Sequence, residues 1–285
     1  MLSQGRSIVI ERERNPQELI ENLDHSDLQE LRIIDCDTDS LSLESLRECK
    51  QLIELEITGT NLKTVGFEAL SDCPNLRNLI LSNNQLKSID SSALSLCQDL
   101  VRIDVSENEL EEVDLNPLKN LEKLADIDLT GNPLKSIDLE PLSASHQLEN
   151  LMISHCKLRS MDLNPLRRKS ELRTLYLNDN RISEINLGPL SHCTHLHTLS
   201  LGRNNLKSID LVPIKHCVKL RVLNLGRNKL EELDIRPLKY CNYLHTLAVD
   251  EGVEIITGKT DPLKTRRIDR VHHINSIDLR SSEWV

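Results

Sequence analysis

LHTLSLGRNNL (residues 196–206) and LRVLNLGRNKL (220–230) carry one pattern twice, 24 residues apart. The same register holds upstream in LIELEITGTNL (52–62), LRNLILSNNQL (76–86), LVRIDVSENEL (100–110), LADIDLTGNPL (124–134), LENLMISHCKL (148–158) and LRTLYLNDNRI (172–182). LQELRIIDC (28–36) extends it backwards and LHTLAVDEG (244–252) forwards, giving ten registers with no insertion or deletion. A fixed period of this size marks stacked units, none of which buries its apolar face alone.

Each position of the repeat has a physical reading. Positions 4 and 6, Leu199 and Leu201 for instance, alternate inward as a short strand requires. Positions 1, 11, 14, 16 and 19 supply further aliphatic core. Position 9 is Asn in six repeats (84, 108, 132, 180, 204, 228), and its amide can serve the backbone of the bend that leaves the strand. Asn116-Pro117 and Asn164-Pro165 predict a helix N-cap followed by Pro at the first helical position. The expected unit is strand, bend and short helical turn, stacked into a curved α/β solenoid with a parallel sheet on its concave side.

The motif LxxLxLxxNxL, followed by a second half such as IDLVPIKHC or LDIRPLKYC, resembles the leucine-rich-repeat superfamily over residues 28–252 at least. The 24-residue, Pro-containing repeat is similar to that of intracellular members. The resemblance implies a horseshoe or arc that binds a protein or peptide on its concave face, without enzymatic activity, cofactor or metal. It also implies a signalling role, with small GTPases or phosphatases as partner types. On this reading residues 1–27 form an N-terminal cap of short strand plus helix, 28–252 the ten registers, and 253–285 a C-terminal cap or tail ending near Trp284. The alternative is a structural module forming homo-oligomers through a face or an end.

Composition fits an aliphatic core: 38% of residues are apolar but only 2% aromatic. No apolar run approaches the roughly 18–20 residues that cross a bilayer. The opening MLSQGRSIVIERERN lacks a signal-like apolar region, and no Asn-x-Ser/Thr acceptor occurs, so a cytoplasmic location is expected. Net charge is −10, divided between −16 over residues 1–144 and +6 over 145–285. Such polarity favours an acidic and a mildly basic end over a continuous nucleic-acid-binding face. A monomer without membrane insertion is expected.

LSHCTHLHTL (190–199) has the look of a metal site, yet the period explains it. Cys193 shares position 22 with Cys49, Cys73, Cys97, Cys217 and Cys241, while Cys36 and Cys156 take the Asn position. Zinc sites need clustered pairs, and no CxxC occurs. Thiols at one repeated phase read as reduced core residues. TGKT (257–260) lacks the first Gly of a phosphate loop, and His272-His273 has no companions.

Framework positions are explained by folding; outward strand positions 3, 5 and 7, with 2 and 8 beside them, are not. Two patches stand out there. In the early-to-middle repeats Glu54, Glu56, Asp104, Glu107, Asp126 and Asp128 form an acidic group relieved mainly by Arg102, with Ile80 among them. In the later repeats Arg173, His197 and Arg221 line position 2, and Arg203 and Arg227 line position 8 beside bare glycines. Tyr176 and Met152 flank that basic group, and Tyr and Arg are types enriched at binding hot spots. A solvated acidic face and an arginine–carboxylate ladder remain open as purely structural readings.

Overall fold

The computed structural model describes residues 6–23, 27–257 and 270–274, which fall into two compact units, Met1–Ile153 and Ser154–Val285. In the first unit, strands Arg6–Glu11, Leu28–Ile34, Glu54–Thr58, Asn78–Ile80, Arg102–Asp104, Asp126–Asp128 and Asn150–Met152 pair in chain order, all parallel. Register follows the 24-residue period without slip, as in Leu31↔Leu55, Leu55↔Leu79 and Leu79↔Ile103. The helix Pro16–Glu21 buries Pro16 and Ile20. In the second unit, Thr174–Tyr176, Thr198–Ser200, Val222–Asn224, Thr246–Asp250 and Arg270–Ile274 pair likewise. The last pairing shows the sheet continuing into the segment expected to be a cap. TGKT beyond position 257 and Trp284 lie outside the described residues.

Opposite the strands, each repeat between residues 28 and 243 turns through a 3-10 helix, such as Ser92–Leu96, Asn116–Leu118, Gly188–His192 and Arg236–Tyr240. The expected solenoid of parallel strands and tight helical turns is therefore present. Between the two layers lies an almost wholly aliphatic core: Leu199 and Leu201 are fully buried, as are Leu55 and Ile57. The single Phe, Phe67, is buried as well.

Three polar devices close the repeats. The first is the Asn ladder. Asn132 donates its amide to Val105 O (2.9 Å) and Leu129 O (3.0 Å) and accepts from Leu110 N (3.0 Å). Asn108 and Asn204 do the same for their neighbours, which keeps buried backbone groups paired where the strand ends.

The second device corrects the expected cap. Asn116 and Asn164 are not N-caps; each is the first residue of its 3-10 helix. The Asp two residues earlier does the capping: Asp114 Oδ1 accepts Asn116 N (2.9 Å) and Asp162 Oδ1 accepts Asn164 N (2.9 Å). Asp90, Asp138, Asn186, Asp210 and Asp234 repeat the contact. A side chain that bonds its own backbone two residues on is the Asx turn.

The third device belongs to the position-22 cysteines, which are more than small apolar fillers. Cys73 Sγ donates to Leu46 O (3.4 Å) and Cys97 Sγ to Leu70 O (3.3 Å). In the second unit Cys193, Cys217 and Cys241 donate to Leu166, Leu190 and Ile214 carbonyls. Each thiol thus ties one turn to the turn before it. Burial pushes the Cys97 and Cys193 thiols up to about 12, so they stay protonated donors at neutral pH. Lys169 occupies the same phase and is 1% exposed.

Candidate interaction surface

The outward side of the strands carries the charged columns, and the two units differ in how those charges are met. In the first unit most acidic side chains are satisfied internally. Arg32, from the first full strand, lies 2.7 Å from Glu54, 3.5 Å from Glu56 and 3.9 Å from Glu30. Asn78 donates to Glu54 (3.0 Å), and Asn150 donates to Asp126. Asp104 is buried, paired with Arg102 (2.9 Å) and bonded by Ser106. Relief is therefore shared: Arg32, rather than Arg102, is the main cation among the glutamates. Asp128 stands in register with Asp104 and accepts Thr130 N (2.9 Å). Burial holds its carboxyl above the usual range, and the Asp104 charge adds to this. Ile80 sits half-buried between Glu56 and Asp104 in the same column.

Position 8 has a feature the sequence did not announce. Asp35, Asn83, Glu107, His155, Asp179, Arg203 and Arg227 all have φ between 52° and 58°, and Gly59 and Gly131 occupy the same phase at 65° and 75°. The strand exit therefore takes a left-handed residue in the first nine registers, a conformation that costs a non-glycine residue about 1 kcal/mol. Glu107 lies over Gly131, where an added Cβ would collide with its carboxylate. The outward aim of Glu107, Arg203 and Arg227 is thus set by backbone geometry.

In the second unit, Arg203 pairs with Asp179 (3.2 Å), which also lies 3.7 Å from His155. Asp250 accepts the backbone N–H groups of Arg227 and Asn228. The glycine beside Arg203 is not bare, because the Asn224 amide covers the place of a Gly202 side chain. The structure therefore gives the position-8 arginines carboxylate neighbours, as a ladder would. Position 2 is different. Arg173, His197, Arg221 and His245 immediately precede their strands and follow one another along the sheet through His197 N to Arg173 O (2.8 Å), Arg221 N to His197 O (2.8 Å) and His245 N to Arg221 O (3.0 Å). Burial lowers the His197 value, and Arg221, Arg173, Lys219 and His195 push it further the same way. Tyr176 is half-buried at the end of the strand Thr174–Tyr176, its hydroxyl without a hydrogen bond among the described residues. Met152 ends the last strand of the first unit, half-buried.

The residues of LSHCTHLHTL serve separate ends. His192 bonds Ser191 on the 3-10 side, Cys193 points into the core, and His195 bonds Ser170 O (2.9 Å). Among the described residues no group of three or more His, Cys, Asp or Glu side chains could hold a metal ion.

A leucine-rich-repeat family model matches residues 74–134, 170–230 and 194–247, on the same strand-and-turn units described above. The chain folds as a leucine-rich-repeat solenoid. Its fold is similar to that of the Leptospira interrogans protein LIC12759, with a TM-score of 0.71 and 23% identity, covering 81% of this chain and 57% of that one. An internalin, InlF of Listeria monocytogenes, is similar with a TM-score of 0.63 and 21% identity over 89% of this chain and 76% of that one. The functional domain of InlJ from Listeria monocytogenes, which includes a cysteine ladder, gives a TM-score of 0.52 and 22% identity over 82% and 56%. This leucine-rich-repeat chain thus spans little more than half of the Leptospira protein. Comparison with curated proteins returns no significant match. Among the described residues no helix is long and apolar enough to cross a membrane.

Proposed function

We propose that this leucine-rich-repeat chain is a non-enzymatic scaffold that binds a protein or peptide on the outward strand face, with its principal contact on the unit Ser154–Val285. Leucine-rich-repeat proteins typically act in protein binding, which sets the class. Tyr176 is the observation that carries the location: a half-buried aromatic on the outward side at the end of the strand Thr174–Tyr176, three residues after Arg173, with its hydroxyl still able to bond a partner. The acidic face of the first unit supports the assignment by contrast, since Arg32, Arg102, Asn78 and Asn150 already satisfy much of it. We propose further that it is a signalling regulator with a small GTPase or phosphatase type of partner; eight buried free thiols fit a reducing, cytoplasmic setting.

A photo-crosslinking amino acid at position 176 tests this, against the same residue at position 216 on the exposed 3-10 side. The expected result is a partner captured in cell extract from position 176 and not from 216. Capture from 216 alone would overturn the assignment to the strand face.

A further inference from the structure

The edge of the second unit where the chain enters its strands is cationic in a way folding does not require. Four successive entries read SELRT (170–174), THLHT (194–198), VKLRV (218–222) and NYLHT (242–246). The central Leu of each is core: Leu172, Leu196 and Leu220 are fully buried and Leu244 is 8% exposed. Its neighbours face out, and they are Arg173, His195, His197, Lys219, Arg221 and His245, against one carboxylate, Glu171. Register pairs Thr174↔Thr198, Thr198↔Val222 and Val222↔Thr246 hold the entries in line. The cations are therefore about one strand spacing apart, roughly 4.8 Å, and the row from Arg173 to His245 covers roughly 14 Å.

Like charges so placed repel one another. The corresponding edge of the first unit is neutralised, as Lys123 pairs with Asp99 there. Among the described residues Lys219 and Arg221 pair with no carboxylate, and Glu171 is engaged by Ser170. His195 adds a directional feature: its Nδ1 donates to Ser170 O (2.9 Å), which leaves Nε2 to meet solvent or a ligand. Protonated, that nitrogen becomes a donor. Exposed Val218 and Tyr243, 42% and 63% accessible, interleave with the cations and suit a polypeptide with some apolar residues. The far ends of the same strands carry Asp179, Asp250 and Glu251, which would repel a phosphate backbone that continued along them.

Resting on the strand-face reading above, we infer that this strand-entry edge docks an acidic polypeptide segment of the partner, with Lys219, Arg221, His195 and His197 receiving its carboxylates. The docking tightens on mild acidification. The groups facing His197 are Arg173, Lys219, Arg221 and His195, all cationic or able to become so, and a bound carboxylate offsets their repulsion.

The probe is a fluorescein-labelled deca-glutamate peptide, read by fluorescence anisotropy with the full chain at low salt. Its carboxylates remain ionised near pH 6 and above. Wild type is expected to bind in a salt-sensitive manner, and a folded Lys219→Glu/Arg221→Glu variant to lose at least about tenfold in affinity. Lys239→Glu, on the exposed 3-10 side, should bind this probe like wild type. Binding should be tighter at about pH 6 than at about pH 8, and His197→Gln should reduce that difference. Equal binding by wild type and the charge-reversed variant, or no binding by wild type, overturns the inference. So does tighter binding of a single-stranded DNA decamer than of deca-glutamate. Partner crosslinking through position 176 without deca-glutamate binding leaves the strand-face reading intact and removes this one alone.

Discussion

Replacing Lys169 by Met should make this protein more stable, and the gain should depend on pH in a way no other interpretation supplies. Lys169 stands in the thiol-ladder phase, where Leu121 fills the equivalent place in the first unit, and it is 1% exposed. Burial lowers its value from 10.5 to about 8, with the neighbouring Cys193 thiol opposing slightly. The folded chain therefore favours the neutral amine. A lowered lysine value is a cost that is fully present below about pH 8 and fades as pH rises through 8 towards 10.5. At about 1.4 kcal/mol for each tenfold change, the cost at pH 7 is roughly 3 kcal/mol. Met keeps the length of the side chain and fills irregular space, so the part of that cost not offset by the contacts Lys169 itself makes should return as stability. The assay is urea unfolding of both proteins at about pH 7, 8.5 and 10. Lys169→Met should lead by about 2–3 kcal/mol at neutral pH and by less than about 1 kcal/mol at pH 10. The remaining ionisable groups are common to both chains, so the difference isolates Lys169. A variant less stable than wild type at pH 7, or a gap that does not shrink by pH 10, would refute the reasoning.

Four further outcomes are expected. Asn132→Ala removes the amide's donations to the Val105, Leu129 and Thr130 carbonyls and one acceptance from a 1% exposed site, and should destabilise by about 3 kcal/mol in urea unfolding. Asn228→Ala, at a half-buried site, should cost less. Asp114→Ala deletes one Asx cap and should lower stability by about 1 kcal/mol, whereas Asn116→Ala should be nearly neutral; calorimetry would separate the two. Arg168 has φ 74° in the tight turn closed by Lys169 N to Leu166 O (3.1 Å), a place suited to glycine. Arg168→Gly should thus raise the melting temperature, corresponding to up to about 1 kcal/mol. Finally, all eight buried thiols should resist a disulfide-exchange reagent in the native state and react together on unfolding; prompt native reaction of Cys73, Cys97, Cys193, Cys217 or Cys241 would contradict the hydrogen-bonded thiol ladder.

Sequence by itself determined the repeat, its register and its core, because the period forces Leu and Ile into the same phases ten times. A buried aliphatic position has little chemical alternative, so its pattern is legible without coordinates. The Asn ladder was legible for the same reason: few side chains carry both a donor and an acceptor in so short a reach. Other assignments needed the tertiary structure. Pro117 and Pro165 drew attention to the Asn before them, but the capping group was Asp114 or Asp162, since a 3-10 turn begins one residue earlier than an α-helical cap predicts. The left-handed column at position 8 was hidden because seven of its nine occupants are not glycine. Which surface charges are satisfied was equally out of reach. Glu54 and Arg32 are 22 residues apart in sequence and 2.7 Å apart in space, while Arg221 has cations for neighbours across the strands. Sequence lists the charges along each column; only the side chains' reach across adjacent strands decides which pairs neutralise one another and which remain for a partner.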